Sequence, residues 1–83
     1  MKQSKMINCI ITSPQKTAVY KNLRSVTLPA FFGQMQILPG HAESFVLLKK
    51  GNISLRQLNK KKEIIQNING ECHIRNDVVT IIL

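Results

Sequence analysis

The sequence contains no tryptophan and a single tyrosine, and aromatic residues make up only 5% of its 83 positions. Isoleucine, leucine and valine dominate the apolar content instead. Carboxylates are also scarce. Four Asp+Glu stand against 12 Lys+Arg, and none of the four is paired in sequence. General acid–base work by a carboxylate pair therefore has no support. No apolar run approaches the roughly 18–20 residues of a membrane-spanning helix. The basic opening MKQSKMINCIITSPQ carries an apolar stretch too short and too soon broken for a secretory signal. No glycine-rich loop of the phosphate-cradling kind precedes a helix. No window has an amphipathic helical period with caps, and there is no repeat, low-complexity tract or linker. These absences predict a soluble protein on the reducing side of a membrane, folded as one domain at most.

Apolar residues nonetheless reach 43%, too many for a disordered chain. At this length the core is real but shallow, and stability is expected to be marginal or to lean on a partner. The net charge of +8 favours an acidic partner. Lys60-Lys61-Lys62 lies between two strand-like runs and reads most simply as a solvated turn.

Period-2 alternation dominates the chain. INCIIT, residues 7–12, sets Ile7, Cys9 and Ile11 on one face. Ser13–Lys16 is a turn, since Pro14 fixes φ and donates nothing to a ladder. Residues 17–28 form a longer run, with Val26 and Leu28 facing opposite Ser25 and Thr27, and Pro29 is expected to end it. AFFG follows as a loop with two aromatics, closed by Gly33; MQIL is a short strand; Pro39-Gly40 turns the chain again. ESFVLLKK and NISLRQL flank Gly51 as an expected hairpin, and EIIQNI and ECHIR flank Asn69-Gly70, a strong hairpin signal. RND turns into VVTIIL. Roughly seven or eight short strands, with turn signals about every 8–12 residues, predict an all-β sandwich or barrel.

Candidate chemistry is thin. The potential metal ligands are Cys9, His41, Cys72 and His73, but neighbours on a strand point to opposite faces, so Cys72 and His73 cannot share an ion without a bulge. The two cysteines read as buried thiols, although they could also face each other across paired strands. His41 and Ser44 are close in sequence, yet nothing supplies the orienting acid of a nucleophile. No catalytic residue, cofactor or metal site is assigned, and the chain reads as an interaction module rather than an enzyme. A small basic barrel binding single-stranded nucleic acid is the alternative. Its stacking residues would be Tyr20, Phe31, Phe32 and Phe45, none of which alternates with basic residues as a platform requires.

The order SVTLP, Gly33, ILPGHA, LLKKGNI, Asn69-Gly70 and NDVVTIIL, with IITSPQKTAVYKNLRSVTLP before it, resembles the amino-terminal domain of the epsilon subunit of F-type ATP synthases. The likeness covers residues 6–83, leaving residues 1–5 as an extension. Ala30, Met35-Gln36, Glu43 and Asn69 depart from the family pattern. The resemblance implies a flattened β-sandwich of short antiparallel strands in the central rotor, clamping the gamma subunit and resting on the c-ring, on the cytoplasmic face of a bacterial inner membrane or the matrix face of an organelle membrane. It implies no active site and no small-molecule ligand. Phe31, Phe32, Gln34 and Met35 fall in the family loop that touches the ring; His41 and Ala42 fall in the turn that faces gamma. Pro29, Gly33, Pro39, Gly40, Gly51, Asn69 and Gly70 are the expected structural turns. The family usually continues into an inhibitory helical hairpin, which in some bacteria binds ATP; both functions are expected to be absent if the sequence is complete, and lie outside it if it is a fragment.

Overall fold

The computed structural model describes residues 6–67 and 69–83. The extension read over residues 1–5 lies outside them. Eight strands follow one another: β1 (Ile7–Thr12), β2 (Thr17–Ala30), β3 (Gly33–Ile37), β4 (Ser44–Leu48), β5 (Gly51–Gln57), β6 (Glu63–Asn67), β7 (Gly70–Arg75) and β8 (Val78–Ile82). No helix occurs among the described residues. Of the sandwich and the barrel that the alternation left open, the sandwich implied by the resemblance is the architecture found, drawn out along one axis to 40 × 24 × 21 Å.

The long strand β2 belongs to both layers. Its first half pairs with β1, from Thr12↔Thr17 to Ile7↔Leu23, and β1 leads on through β8 and β7 to β4. Its second half pairs with β3 on one side and β5 on the other, and β5 carries β6. Two irregularities let one strand serve both layers. Against β1, the register shifts between Ile7 and Cys9; against β5, it shifts between Leu23 and Ser25, where Arg24 is the additional residue. Such bulges bend a strand and increase its twist. Asn22, inside the first of them, takes the left-handed φ of 59°, and its N–H donates to Asn8 Oδ1 at 3.2 Å. The extra residue keeps one face buried on both sides of the bulge: Leu23 points inward before it and Val26, Leu28 and Ala30 after it. Ser25 pairs with exposed Arg56 and so lies on the face away from Val26 and Leu28, as the alternation predicted, although little of it reaches solvent.

The core is aliphatic. Ile7, Ile11, Leu23, Val26, Leu28, Ile37, Leu48, Ile53, Leu55, Ile74, Val79 and Ile81 fill it with Cys9 and Cys72, and Tyr20, Met35 and Ile65 close its margins. Burying one such aliphatic side chain contributes about 1.5–3 kcal/mol.

Four local expectations are corrected. Pro29 does not end β2 or make a turn. It stays in the ladder opposite Gln34, its missing N–H is tolerated, and its carbonyl accepts from Lys49 N–H at 2.9 Å. Gly51 is no hairpin centre, because β4 pairs with β7 and β5 pairs with β2 and β6. The chain crosses between layers there, and a Cβ on Gly51 would come within 2.7 Å of Pro29 Cβ. Asn69-Gly70 is likewise a crossover, since β6 pairs with β5 while β7 pairs with β4 and β8. Finally, the strands are not all antiparallel: β1 and β8 run parallel, from Asn8↔Val78 to Thr12↔Ile82.

Candidate functional site

The turn between β2 and β3 is tighter than the loop expected from AFFG. Ala30 pairs with Gly33, so Phe31 and Phe32 alone make the connection. Gly33 holds φ 135° with open space around it, so its role is conformational rather than steric. With so short a turn the rings cannot fold back into the core. Phe31 is 65% exposed and Phe32 78%. Gln34 projects outward on β3, whereas Met35 turns inward and packs against the core. The four residues of the expected ring-facing loop lie together on either side of Gly33, but only three of them present their side chains outward.

Phe31 does not stand alone. It lines a shallow hollow of about 410 Å³ with Leu47, Leu48, Asn69, Gly70, Glu71 and Ile82. Leu47 belongs to the outer face of β4, where Phe45 is also exposed. The Phe45 ring meets its cross-strand partner His73 edge-on, with centroids 4.8 Å apart. His73 Nε2 in turn lies 3.9 Å from Glu71 Oε1, a solvated pair worth little in stability. Phe45 and Leu47 went unassigned as surface residues in the sequence because FVLL is apolar at every position, which hides the alternation. The signal that finds them is the pairing with β7, not the local pattern.

His41 and Ala42 sit at the other end of β3. Leu38 to His41 is a β-turn closed by His41 N–H donating to Leu38 O at 3.1 Å. Pro39 supplies the first corner and Gly40 the second at φ 85°, the pattern of a type II turn. Gly40 N–H donates to Asp77 Oδ1 at 2.7 Å, tying this turn to the β7–β8 hairpin. In that hairpin Asn76 and Asp77 both adopt left-handed φ, 50° and 62°, as a type I′ turn requires. His41 Nδ1 lies 2.9 Å from Ala42 O, so the ring is held locally; it is half-buried while Ala42 is exposed. The six expected interface residues therefore form two separate groups.

No group of three or more His, Cys, Asp or Glu side chains that could hold a metal converges among the described residues. Cys9 lies on β1 and Cys72 on β7 with β8 between them, so they are not cross-strand partners, and both are free and fully buried. Burial pushes each thiol up to about 12, with the neighbouring Cys72 adding to the effect on Cys9.

A second concavity, of about 750 Å³, is open and cationic. Arg24, Arg56, Lys60 and Lys61 line it with Ser25, Gln36, Gln57, Asn59, Leu38 and Leu58. None of the four aromatics proposed for base stacking borders it.

An aliphatic core sealed between two layers, with apolar and cationic features confined to the outside, defines a small β-sandwich domain. Residues 6–83 match the family model described as "ATP synthase, Delta/Epsilon chain, beta-sandwich domain", and the chain belongs to that family. The ATP synthase epsilon chain of Bdellovibrio bacteriovorus is 32% identical over 74 residues, covering 88% of this chain and 53% of that one. The epsilon chain of Granulibacter bethesdensis is 32% identical over 72 residues, covering 87% and 53%. The chain thus spans about half the length of the curated relatives it matches. Among solved structures, a chain of the Euglena gracilis mitochondrial ATP synthase (OSCP/F1/c-ring) superposes with a TM-score of 0.84 at 21% identity, covering 96% of this chain and 51% of that one. A chain of the Tetrahymena thermophila central stalk/c-ring structure gives 0.77 at 15% identity, covering 99% and 65%. At those identities the likeness concerns the fold.

Proposed function

We propose that this sandwich is a non-catalytic element of the central stalk of a proton-translocating F-type ATP synthase. It links the gamma subunit to the c-ring, so that rotation driven by proton transport is passed to the catalytic head, and it is peripheral to the membrane through that complex. The Phe31–Phe32 turn, with Gln34 beside it, is the ring-facing element; His41 and Ala42 belong to the gamma-facing turn. Met35 supports the ring-facing turn from inside. The observation that carries the reading, beyond family membership, is the pair of exposed phenylalanines on a two-residue turn continuous with the Leu47–Ile82 hollow. Water-exposed rings are costly to leave unpartnered, and buried aromatic anchors dominate interfaces.

Affinity capture from membranes of the source cell tests this. Capture of the gamma and c subunits on the tagged chain is expected, and a chain that captures neither contradicts the proposal.

A further inference from the structure

The cationic groove is absorbed by none of the roles proposed above. It crosses β3, β2 and β5 on the outer face of their layer, at the end of β3 away from Phe31–Phe32. Its geometry follows from the bulge in β2. Arg24 is the extra residue there, and Ser25 beside it pairs with Arg56, so two guanidinium side chains flank the irregularity on adjacent strands. The turn after β5 adds Lys60 and Lys61, its chain reversed at Asn59 with φ 60°. No carboxylate lines the groove. The nearest in sequence, Glu63, is engaged by Tyr20: burial raises the phenol, and the charge and hydrogen bond of Glu63 raise it further. No ion pair to Arg24, Arg56, Lys60 or Lys61 occurs among the described residues. Four unneutralised cations in one groove repel one another, and the arrangement is relieved by an anionic occupant.

The rest of the lining says which anion. Gln36, Gln57 and Asn59 supply amide donors and acceptors, and Leu38 and Leu58, each about half exposed, add apolar contact. A single-stranded nucleic acid would need rings to stack on, and none is present. A lipid bilayer is planar and does not enter a groove between strands. Guanidinium forks match carboxylates bidentately, amides match a peptide backbone, and leucines match aliphatic side chains. We infer that this groove docks an extended acidic polypeptide segment that carries aliphatic side chains among its carboxylates.

The test uses the 83-residue chain and a short fluorescent peptide alternating glutamate with leucine, read by anisotropy at moderate salt. Arg24→Gln with Arg56→Gln should weaken binding about tenfold or more, since both bidentate partners are lost. Lys16→Gln with Lys50→Gln removes the same charge away from the groove and should change affinity by less than about twofold at moderate salt. A peptide with serine in place of leucine should bind several-fold more weakly. Equal affinity of the two double variants, or of the two peptides, would overturn the inference, leaving only diffuse charge attraction. So would tighter binding of oligothymidylate or of phosphatidylglycerol vesicles than of the glutamate–leucine peptide. Both variants replace exposed side chains, and an unchanged thermal transition confirms that the fold is not the cause.

Discussion

Gly70 illustrates how a residue can be required for a reason its sequence context conceals. Preceded by asparagine it reads as turn chemistry, but its φ is not in the left-handed region. A Cβ there would meet Ile82 O at 2.5 Å, a backbone atom in the β7–β8 ladder that cannot step aside. Gly70→Ala is therefore expected to destabilise the domain by about 1–3 kcal/mol, the usual cost of overpacking, measurable by urea unfolding. Asp77 is a second such residue. Its carboxylate joins two turns through the Gly40 N–H, a charge-assisted hydrogen bond. Asp77→Ala should cost about 1–2 kcal/mol and raise amide exchange at Gly40 more than elsewhere; unaltered exchange there would count against the tie. The buried thiols give a pH signature. Their folded values, about 12, lie above the ordinary value of 9.0, so the fold favours the neutral form. Stability contributed this way is complete below pH ~9 and is lost as pH rises toward ~12, because the unfolded chain releases its protons first. The expected fall is about 1.4 kcal/mol per pH unit for a thiol titrating alone. Cys72→Ala should flatten the alkaline decline in urea-unfolding free energy relative to the unaltered chain; parallel declines would show that other groups cause it.

At the scale of elements, β1 was legible to the residue. Ile7, Cys9 and Ile11 alternate with the less buried Asn8, Ile10 and Thr12, and a strand with one buried face leaves no freedom of period. The turn at Asn76-Asp77 was legible too, and here the flanking strands do pair. Gly51 and Asn69-Gly70 were misread for one shared reason. Turn chemistry reports that the chain bends, but whether the flanking strands pair depends on the layers they join. Both connections cross from one layer to the other. The parallel contact of β1 with β8 and the double membership of β2 are long-range pairings with no local signature. The Arg24 bulge has the same character, so the groove it shapes could not be read from the positive charge alone. The expected ring-facing and gamma-facing groups were legible as motifs, while their separation by the length of β3 was not.

At the scale of the molecule, an aliphatic interior is closed by its own packing while two phenylalanine rings stay outside it. Phe31 and Phe32 contribute little to the core, so their value must be sought in an assembly. The most direct measurement replaces both, Phe31→Ser with Phe32→Ser, and compares urea unfolding with capture of the gamma and c subunits from the same membranes. Removing two exposed rings should leave unfolding free energy within about 1 kcal/mol of the unaltered chain. Capture of the c subunit should fall at least tenfold if the rings are interface anchors. A several-kcal/mol loss of stability with unchanged capture per folded molecule would instead make the turn a structural closure and contradict the partner role at the centre of this account.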